Sequence, residues 1–244
     1  MNIALILAGG VGQRMRTGGL PKQFLKLMGK PIVVYTLEKF QMCTQVDKIV
    51  IACHNSWIET MEELVKEYHL SKVHKVVVGG SDRQTSIQKG LEIIATMGVN
   101  KEDIIVIHDG VRPLVSETTI EENIRVATEF GNAMTVRAVT ESVVVTDEQT
   151  AEFADFKKRE STYSLTAPQS FQYIELIEAY EKMEQLQENC KMPLLDTALL
   201  YASMGKKLNL VKEQGVNLKI TTPEDFYYLR AILEMEENKF IFGL

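Results

Sequence analysis

Three glycines, Gly9, Gly10 and Gly12, fall within four residues, and the cations Arg14 and Lys22 follow shortly after. Glycine has no Cβ, so this loop turns tightly and lets a ligand approach its backbone closely. Backbone N–H groups gathered in this way suit phosphate oxygens. Paired cations at the loop's edge suit a triphosphate, whose charge they offset. A plain strand-to-helix turn explains the glycines but has no use for two cations. A second chemical feature is His108-Asp109-Gly110-Val111-Arg112-Pro113. An acid beside a glycine, at the end of a strand, is well placed to hold Mg²⁺ on a triphosphate. Arg112 either pairs with Asp109 or reaches phosphate. His108 reads as a packed, hydrogen-bonded histidine.

Two familiar glycine-loop patterns fail here. A P-loop needs Gly-Lys-Ser/Thr after its first glycine, and no such string occurs. The dinucleotide fingerprint reads Gly10-x-Gly12 and then meets Met15 where a glycine belongs. What stands is Leu7-Ala8-Gly9-Gly10-x-Gly12-x-Arg14-Met15, followed by Pro21-Lys22-Gln23-Phe24.

These residues need a scaffold. Residues 3–7 are an apolar run bounded by glycines, the pattern of a strand buried on both faces. Residues 48–53, 75–78 and 103–107 repeat it. Between them, residues 32–40, 57–68 and 86–97 carry helical periodicity; on the second, Met61, Leu64, Val65 and Tyr68 share one face. Trp57 reads as a cap or core anchor. Strand and helix alternate with short links, which predicts an α/β fold with a doubly wound, mostly parallel sheet. Ligands of such sheets bind at the carboxyl ends of strands. The glycine loop, Gly79-Gly80-Ser81-Asp82 and Asp109-Gly110 all follow strands. Ser81 or Asp82 also suits a helix cap, and capping is compatible with base and ribose recognition nearby.

Further along, a helix is expected over 120–130, strands over 133–139 and 142–146, and a charged stretch over 153–163. This hairpin is too polar for a core and reads as an arm. Residues 165–171 return to the sheet, and a helix follows over 173–188. Asp196 caps another, residues 208–211 form a late strand, and Thr222-Pro223 starts a last helix running to 236. The simplest organisation is one domain, 1–244, with an arm at about 139–166.

Composition narrows the classes. The chain has 244 residues, 45% hydrophobic and 25% charged, enough for one large α/β core. A net charge of −6 argues against nucleic acid as a partner. No apolar run approaches a membrane span, and no basic-then-apolar leader precedes the first strand. Cys43, Cys53 and Cys190 are odd in number and far apart, which suits the cytoplasm. The histidines show no metal-ligand spacing.

Six motifs then occur in order across almost the whole chain: the glycine-loop string, Pro-Lys-Gln-Phe, Gly-Gly-x-Asp-Arg-x-x-Ser, His-Asp-x-x-Arg-Pro, Thr-x-Pro-Gln-x-Phe and Asn-Leu-Lys-Ile-Thr-Thr-Pro-Glu-Asp. Together they resemble the cytidylyltransferases of sugar-alcohol phosphates, which act on D-ribitol 5-phosphate or 2-C-methyl-D-erythritol 4-phosphate. The resemblance implies a Rossmann-like sheet, an extended β-arm and a homodimer. It implies CTP and a polyol phosphate as substrates, Mg²⁺ as cofactor, and a CDP-polyol and pyrophosphate as products. Arg14 and Lys22 match the catalytic cations. The nucleotide site takes in Leu7, Ala8, Gly9, Gly10, Gly12, Gly80, Ser81, Ser86, Asp109 and Gly110, with Asp109 also the metal ligand. The acceptor site takes in Arg112, Ser142, Arg159 and Lys219, with Arg159 reaching from the arm into the partner's site. The sequence departs from the erythritol enzymes at Ser142, where they usually carry Thr, and at Gly110-Val111, where Ala-Ala is commoner. D-ribitol 5-phosphate is therefore the favoured acceptor and the methylerythritol phosphate the alternative. A silent nucleotide-binding regulator is disfavoured by intact Arg14, Lys22 and Asp109. A dinucleotide oxidoreductase is disfavoured by the failed fingerprint.

Overall fold

The computed structural model describes residues 1–10, 19–146, 156–189 and 196–242. From the N-terminus the chain forms β1 (Asn2–Ala8), a 3-10 turn at Lys22–Phe24, a small hairpin of β2 (Lys26–Leu27) and β3 (Lys30–Pro31), and α1 (Ile32–Met42). Then come β4 (Lys48–Cys53), α2 (Ile58–Glu67), β5 (Val73–Val78), α3 (Arg83–Ala95), β6 (Ile104–Asp109), α4 (Glu117–Phe130) and β7 (Asn132–Ala138). A short ribbon of β8 (Val143–Val144) and β9 (Phe156–Lys157) precedes β10 (Tyr163–Gln172). The remainder is α5 (Tyr173–Glu181), α6 (Met183–Asn189), α7 (Thr197–Ser203), β11 (Leu210–Lys212) and α8 (Pro223–Phe242).

Seven strands form one sheet in the order β11-β7-β10-β6-β1-β4-β5. The pairs β1–β4, β1–β6, β4–β5 and β7–β11 are parallel; β10 runs antiparallel to both β6 and β7. The expected mostly parallel α/β sheet is what the chain forms. Ile3 to Ile6, Ile49 to Cys53 and Ile104 to Ile107 are buried on both faces, because helices cover both. On one face α1, α2 and α4 supply Leu37, Phe40, Met61, Ile120 and Ile124. On the other, α3, α5 and α7 supply Ile87, Leu91, Leu176 and Tyr201. Leu229 of α8 closes a smaller cluster with Leu27, Ile32, Val111 and Ile220.

The chain runs outward from β1 through β4 to β5, then crosses to the other flank of β1 as β6. That reversal is a topological switch point, where crossovers on opposite faces leave a crevice at the strands' carboxyl ends. Register puts the chemical loops level. Leu7 pairs with Asp109, Ala8 with Cys53, and Cys53 with Val78.

Several boundaries differ from expectation, for local reasons. α4 starts at Glu117 rather than 120, because the Ser116 side chain accepts from the Thr119 N–H at 3.2 Å. The second arm strand, expected over 142–146, pairs only at Val143–Val144. The helix expected over 173–188 divides at Lys182, which nothing in the sequence explains. α8 continues to Phe242, past the expected 236, since no glycine or proline intervenes before Gly243. Its start is held by Asp225, whose Oδ2 accepts from the N–H groups of Thr221 and Thr222 at 2.8 and 2.9 Å. Among the described residues, no helix is long and apolar enough to cross a membrane.

One contact fixes how closely a helix approaches the sheet. A Cβ added to Gly90 of α3 would lie 2.4 Å from Leu5 Cδ1 in β1. Gly90→Val should therefore cost about 2 kcal/mol or more by overpacking, outweighing any gain in helix propensity. A calorimetric melt checks this. An unchanged midpoint would mean that Leu5 repacks freely.

Candidate active site

A cleft of about 240 Å³ opens at the switch point. One wall is Leu7, Ala8, Gly9 and Gly10 at the end of β1, another is Gly80, Ser81 and Ser86 after β5, and Lys22, Asp109 and Lys219 also line it. Each wall follows from local sequence. β1 ends where its apolar run meets glycines. Asp82 caps α3, accepting from the Thr85 N–H at 2.9 Å, so of the two candidate caps it is Asp82 that serves. Ser86 then turns back: its Oγ donates to the Asp82 carbonyl at 2.7 Å and accepts from the Gly80 N–H at 3.0 Å. A Cβ on Gly80 would fall 2.3 Å from Thr85 Cβ, so this wall accepts only glycine there without a shift.

Asp109 ends β6 among cations. Arg112 Nε donates to Oδ2 at 2.9 Å and Lys219 Nζ lies 3.1 Å from the same oxygen. Lys219 is delivered by the segment before α8, where the Ile220 N–H donates to the Val111 carbonyl at 2.9 Å. Arg112 is held from its far end by the Asn217 carbonyl at 2.9 Å. Burial alone would raise the Asp109 carboxyl. Lys219, Arg112 and Arg83 outweigh it and hold the group well below the usual carboxylate range. The group is a carboxylate at any ordinary pH.

His108 is fully buried and packs against Phe40, the rings tilted with centroids 5.0 Å apart. Its Nε2 lies 3.3 Å from the Arg112 carbonyl. Burial pushes its pKa down to about 4 despite the pull of Asp109, so the ring is neutral and packed. Trp57 stacks on Phe24 at 4.9 Å, the anchor role rather than a ligand contact.

The cleft's donor set suits a hard cation. Among the described residues two carboxylates line it, Asp109 and Asp82, and Asp82 is occupied by Thr85 and Ser81. Mg²⁺ is commonly held through one or two carboxylates plus substrate phosphates, and Asp109 provides one. A separate trio, Cys43, Glu117 and Glu121, brings ligand atoms within 4.8 Å of one another. Burial raises the Cys43 thiol, which keeps it protonated and a poor ligand.

The family model for IspD, 2-C-methyl-D-erythritol 4-phosphate cytidylyltransferase, matches residues 2–235. The chain belongs to the IspD family. Curated relatives called ribitol-5-phosphate cytidylyltransferase match it end to end. That of Streptococcus agalactiae serotype III (strain NEM316) is 38% identical over 244 residues, covering all of both chains. That of Vibrio parahaemolyticus serotype O3:K6 is 37% identical over 243 residues, again covering both fully. Solved structures share the fold. The 4-diphosphocytidyl-2C-methyl-D-erythritol synthase of Anaerococcus prevotii superposes with a TM-score of 0.80 at 22% identity, covering 96% of each chain. The 2-C-methyl-D-erythritol 4-phosphate cytidylyltransferase of Thermus thermophilus gives 0.72 at 23%, covering 95% of this chain and 98% of that one. This IspD-family chain is a nucleotidyltransferase that uses CTP.

Within this IspD-family fold, ten of the residues singled out from the sequence line one cleft: Leu7, Ala8, Gly9, Gly10, Lys22, Gly80, Ser81, Ser86, Asp109 and Lys219. Gly110 stands beside it instead, its N–H donating to the Leu7 carbonyl at 2.9 Å. Arg112 reaches the cleft only through Asp109. Ser142, just before β8, and Arg159, shortly after β9, are exposed and are not among the cleft's lining residues. Gly12 and Arg14 lie outside the described residues, as does Cys190. Sequence reasoning assigned no role to Gln23 and Arg83, which also line the cleft. The signal was present, since both fall inside strings already recognised. Arg83 Nη1 donates to Thr197 Oγ1 at 3.1 Å, a contact 114 residues apart that no local pattern predicts.

Proposed function

We propose that this protein transfers CMP from CTP to D-ribitol 5-phosphate, giving a CDP-polyol and pyrophosphate, in the cytoplasm. The observation that carries the acceptor is the full-length 38% identity to proteins named for ribitol 5-phosphate, against 22% to a solved erythritol enzyme. The alternative, 2-C-methyl-D-erythritol 4-phosphate, is favoured by the family model's own name.

A phosphate oxygen of the acceptor attacks the α-phosphorus of CTP in line. A new P–O bond forms, the bond to the β-phosphate breaks, and pyrophosphate leaves with the electron pair. The acceptor phosphate is already largely ionised near neutral pH, so no base is needed, in keeping with a neutral, packed His108. Catalysis is positioning plus offset of charge growing on oxygen. The glycine loop and the Gly80–Ser86 wall hold the nucleotide. Lys22, with Arg14, offsets the developing charge. Bound Mg²⁺ would supply further positive charge on the phosphates, with Asp109 holding it. Lys219 and Arg112 keep Asp109 ionised and oriented. Incubation with CTP, Mg²⁺ and ribitol 5-phosphate should yield pyrophosphate and a CDP-polyol, read by ³¹P NMR. Absence of both would sink the reading.

We also propose a homodimer whose sites are completed in trans. β8 and β9 have two residues each, and such a ribbon is marginal alone in water. Val144, Val145, Phe156 and Leu165, on or beside it, are each at least 40% exposed. A partner's arm related by a twofold axis would cover them. Arg159, exposed in a 3-10 turn, would then meet the neighbour's acceptor phosphate, where a guanidinium binds bidentately. Mixing Lys22→Ala with Arg159→Ala tests this. A mixed dimer would hold one doubly damaged site and one intact site. Random 1:1 pairing should restore up to about a quarter of wild-type activity. No recovery despite proven exchange would mean that Arg159 serves its own subunit or binds no substrate.

A further inference from the structure

We infer that Gln23 is a positioning residue for the reaction: its carboxamide joins the glycine loop to the turn that carries Lys22, so that the two act as one unit. The inference rests on the proposed role of Lys22.

Gln23 is 1% exposed, an unusual burial for an uncharged amide unless its polar atoms are met. Its Nε2 donates twice, to the Ala8 carbonyl at 2.7 Å and to the Gly10 carbonyl at 2.9 Å. Those carbonyls bracket Gly9. A glycine pair at the end of a strand has no conformation of its own to fall back on. Here one side chain holds the carbonyls of the residues on either side of Gly9. A trans peptide sets N–H opposite C=O. The Ala8 carbonyl, turned to Gln23, therefore aims the Gly9 N–H the other way.

The opposite end of the link is equally firm. Gln23 lies in the 3-10 turn Lys22–Phe24, closed by the Phe24 N–H donating to the Pro21 carbonyl at 2.9 Å. Phe24 is buried and stacked on Trp57. Lys22, the residue before Gln23, lines the same cleft as Gly9 and Gly10. Strain or slack in Gln23 thus changes the offset between the loop backbone and the Lys22 ammonium. Small errors in the placement of a charge aimed at a transition state are costly to turnover.

Gln23→Met keeps the length and removes both donors. It should lower kcat at least tenfold. A residue that merely supports the fold would lower activity by the same factor in any background. A residue that acts through Lys22 would not. In a Lys22→Ala background, Gln23→Met should therefore cost less than twofold further, with each protein measured well below its own melting temperature. Should Gln23→Met fail to fold, Gln23→Asn, too short to reach both carbonyls, takes its place in the cycle. Wild-type kcat in the single variant, or equal losses in both backgrounds, overturns the inference while leaving Lys22 catalytic. Near-normal turnover in Lys22→Ala itself overturns the reading of Lys22 and the coupling with it.

Discussion

Lys22→Ala should lower kcat by about a hundredfold or more, with a far smaller change in CTP affinity. Lys22 lines the cleft from a turn rather than from the glycine loop. On the proposed reading, ground-state CTP rests on the loop backbone, and the charge that Lys22 meets is the one that grows as the α-phosphorus gains a fifth oxygen. Loss of such an interaction appears in kcat and equally in kcat/KM, whereas loss of uniform binding appears in KM alone. Initial-rate kinetics with CTP varied, together with calorimetric CTP binding, separates the two. A variant with raised KM and unchanged kcat would make Lys22 a binding residue. Arg14 carries the same expectation from the sequence, although it lies outside the described residues.

Asp109→Asn should slow turnover and raise the Mg²⁺ concentration needed for half-maximal rate. The amide keeps the shape of the side chain and removes its charge. Two cations, Arg112 and Lys219, share Oδ2 and would lose their anion together. The Arg112 side chain is only 11% exposed, so its loss of a partner is poorly made up by water. About 1–3 kcal/mol of stability should go with it. The sign with pH follows from the depressed carboxyl. Its contribution is present above the unfolded-state pKa and is lost only as pH falls through the still lower folded value. Wild type should therefore keep this advantage over Asp109→Asn through neutral and mildly acidic pH. If stability falls but Mg²⁺ dependence does not move, Asp109 is the structural partner of Arg112 and Lys219 and holds no metal.

The strands and the cleft were legible for one reason. Period and punctuation are local, and in a doubly wound sheet the residues after buried strands share one edge. Leu7 and Asp109 are 102 positions apart, yet register alone makes them neighbours. What was not legible was fixed by distant partners. Asn217, 1% exposed, donates to the Ala167 carbonyl, and its own carbonyl accepts from Arg112 and Arg137. Gln169 and Asp196 meet at 3.0 Å across 27 residues. Such contacts leave no periodic trace. The division of α5 from α6 and the brevity of β8 and β9 belong to the same class, since short elements depend on what packs on them. Gln23 is the opposite case. Its string was recognised, but the two carbonyls it binds become visible only once the loop has a shape.

The acceptor decides the account. The direct measurement is kcat/KM for D-ribitol 5-phosphate and for 2-C-methyl-D-erythritol 4-phosphate, side by side on one preparation with saturating CTP and Mg²⁺, followed by pyrophosphate release. A preference of tenfold or more for ribitol 5-phosphate, about 1.4 kcal/mol in transition-state binding, is the predicted result. A preference of that size for the methylerythritol phosphate would contradict it.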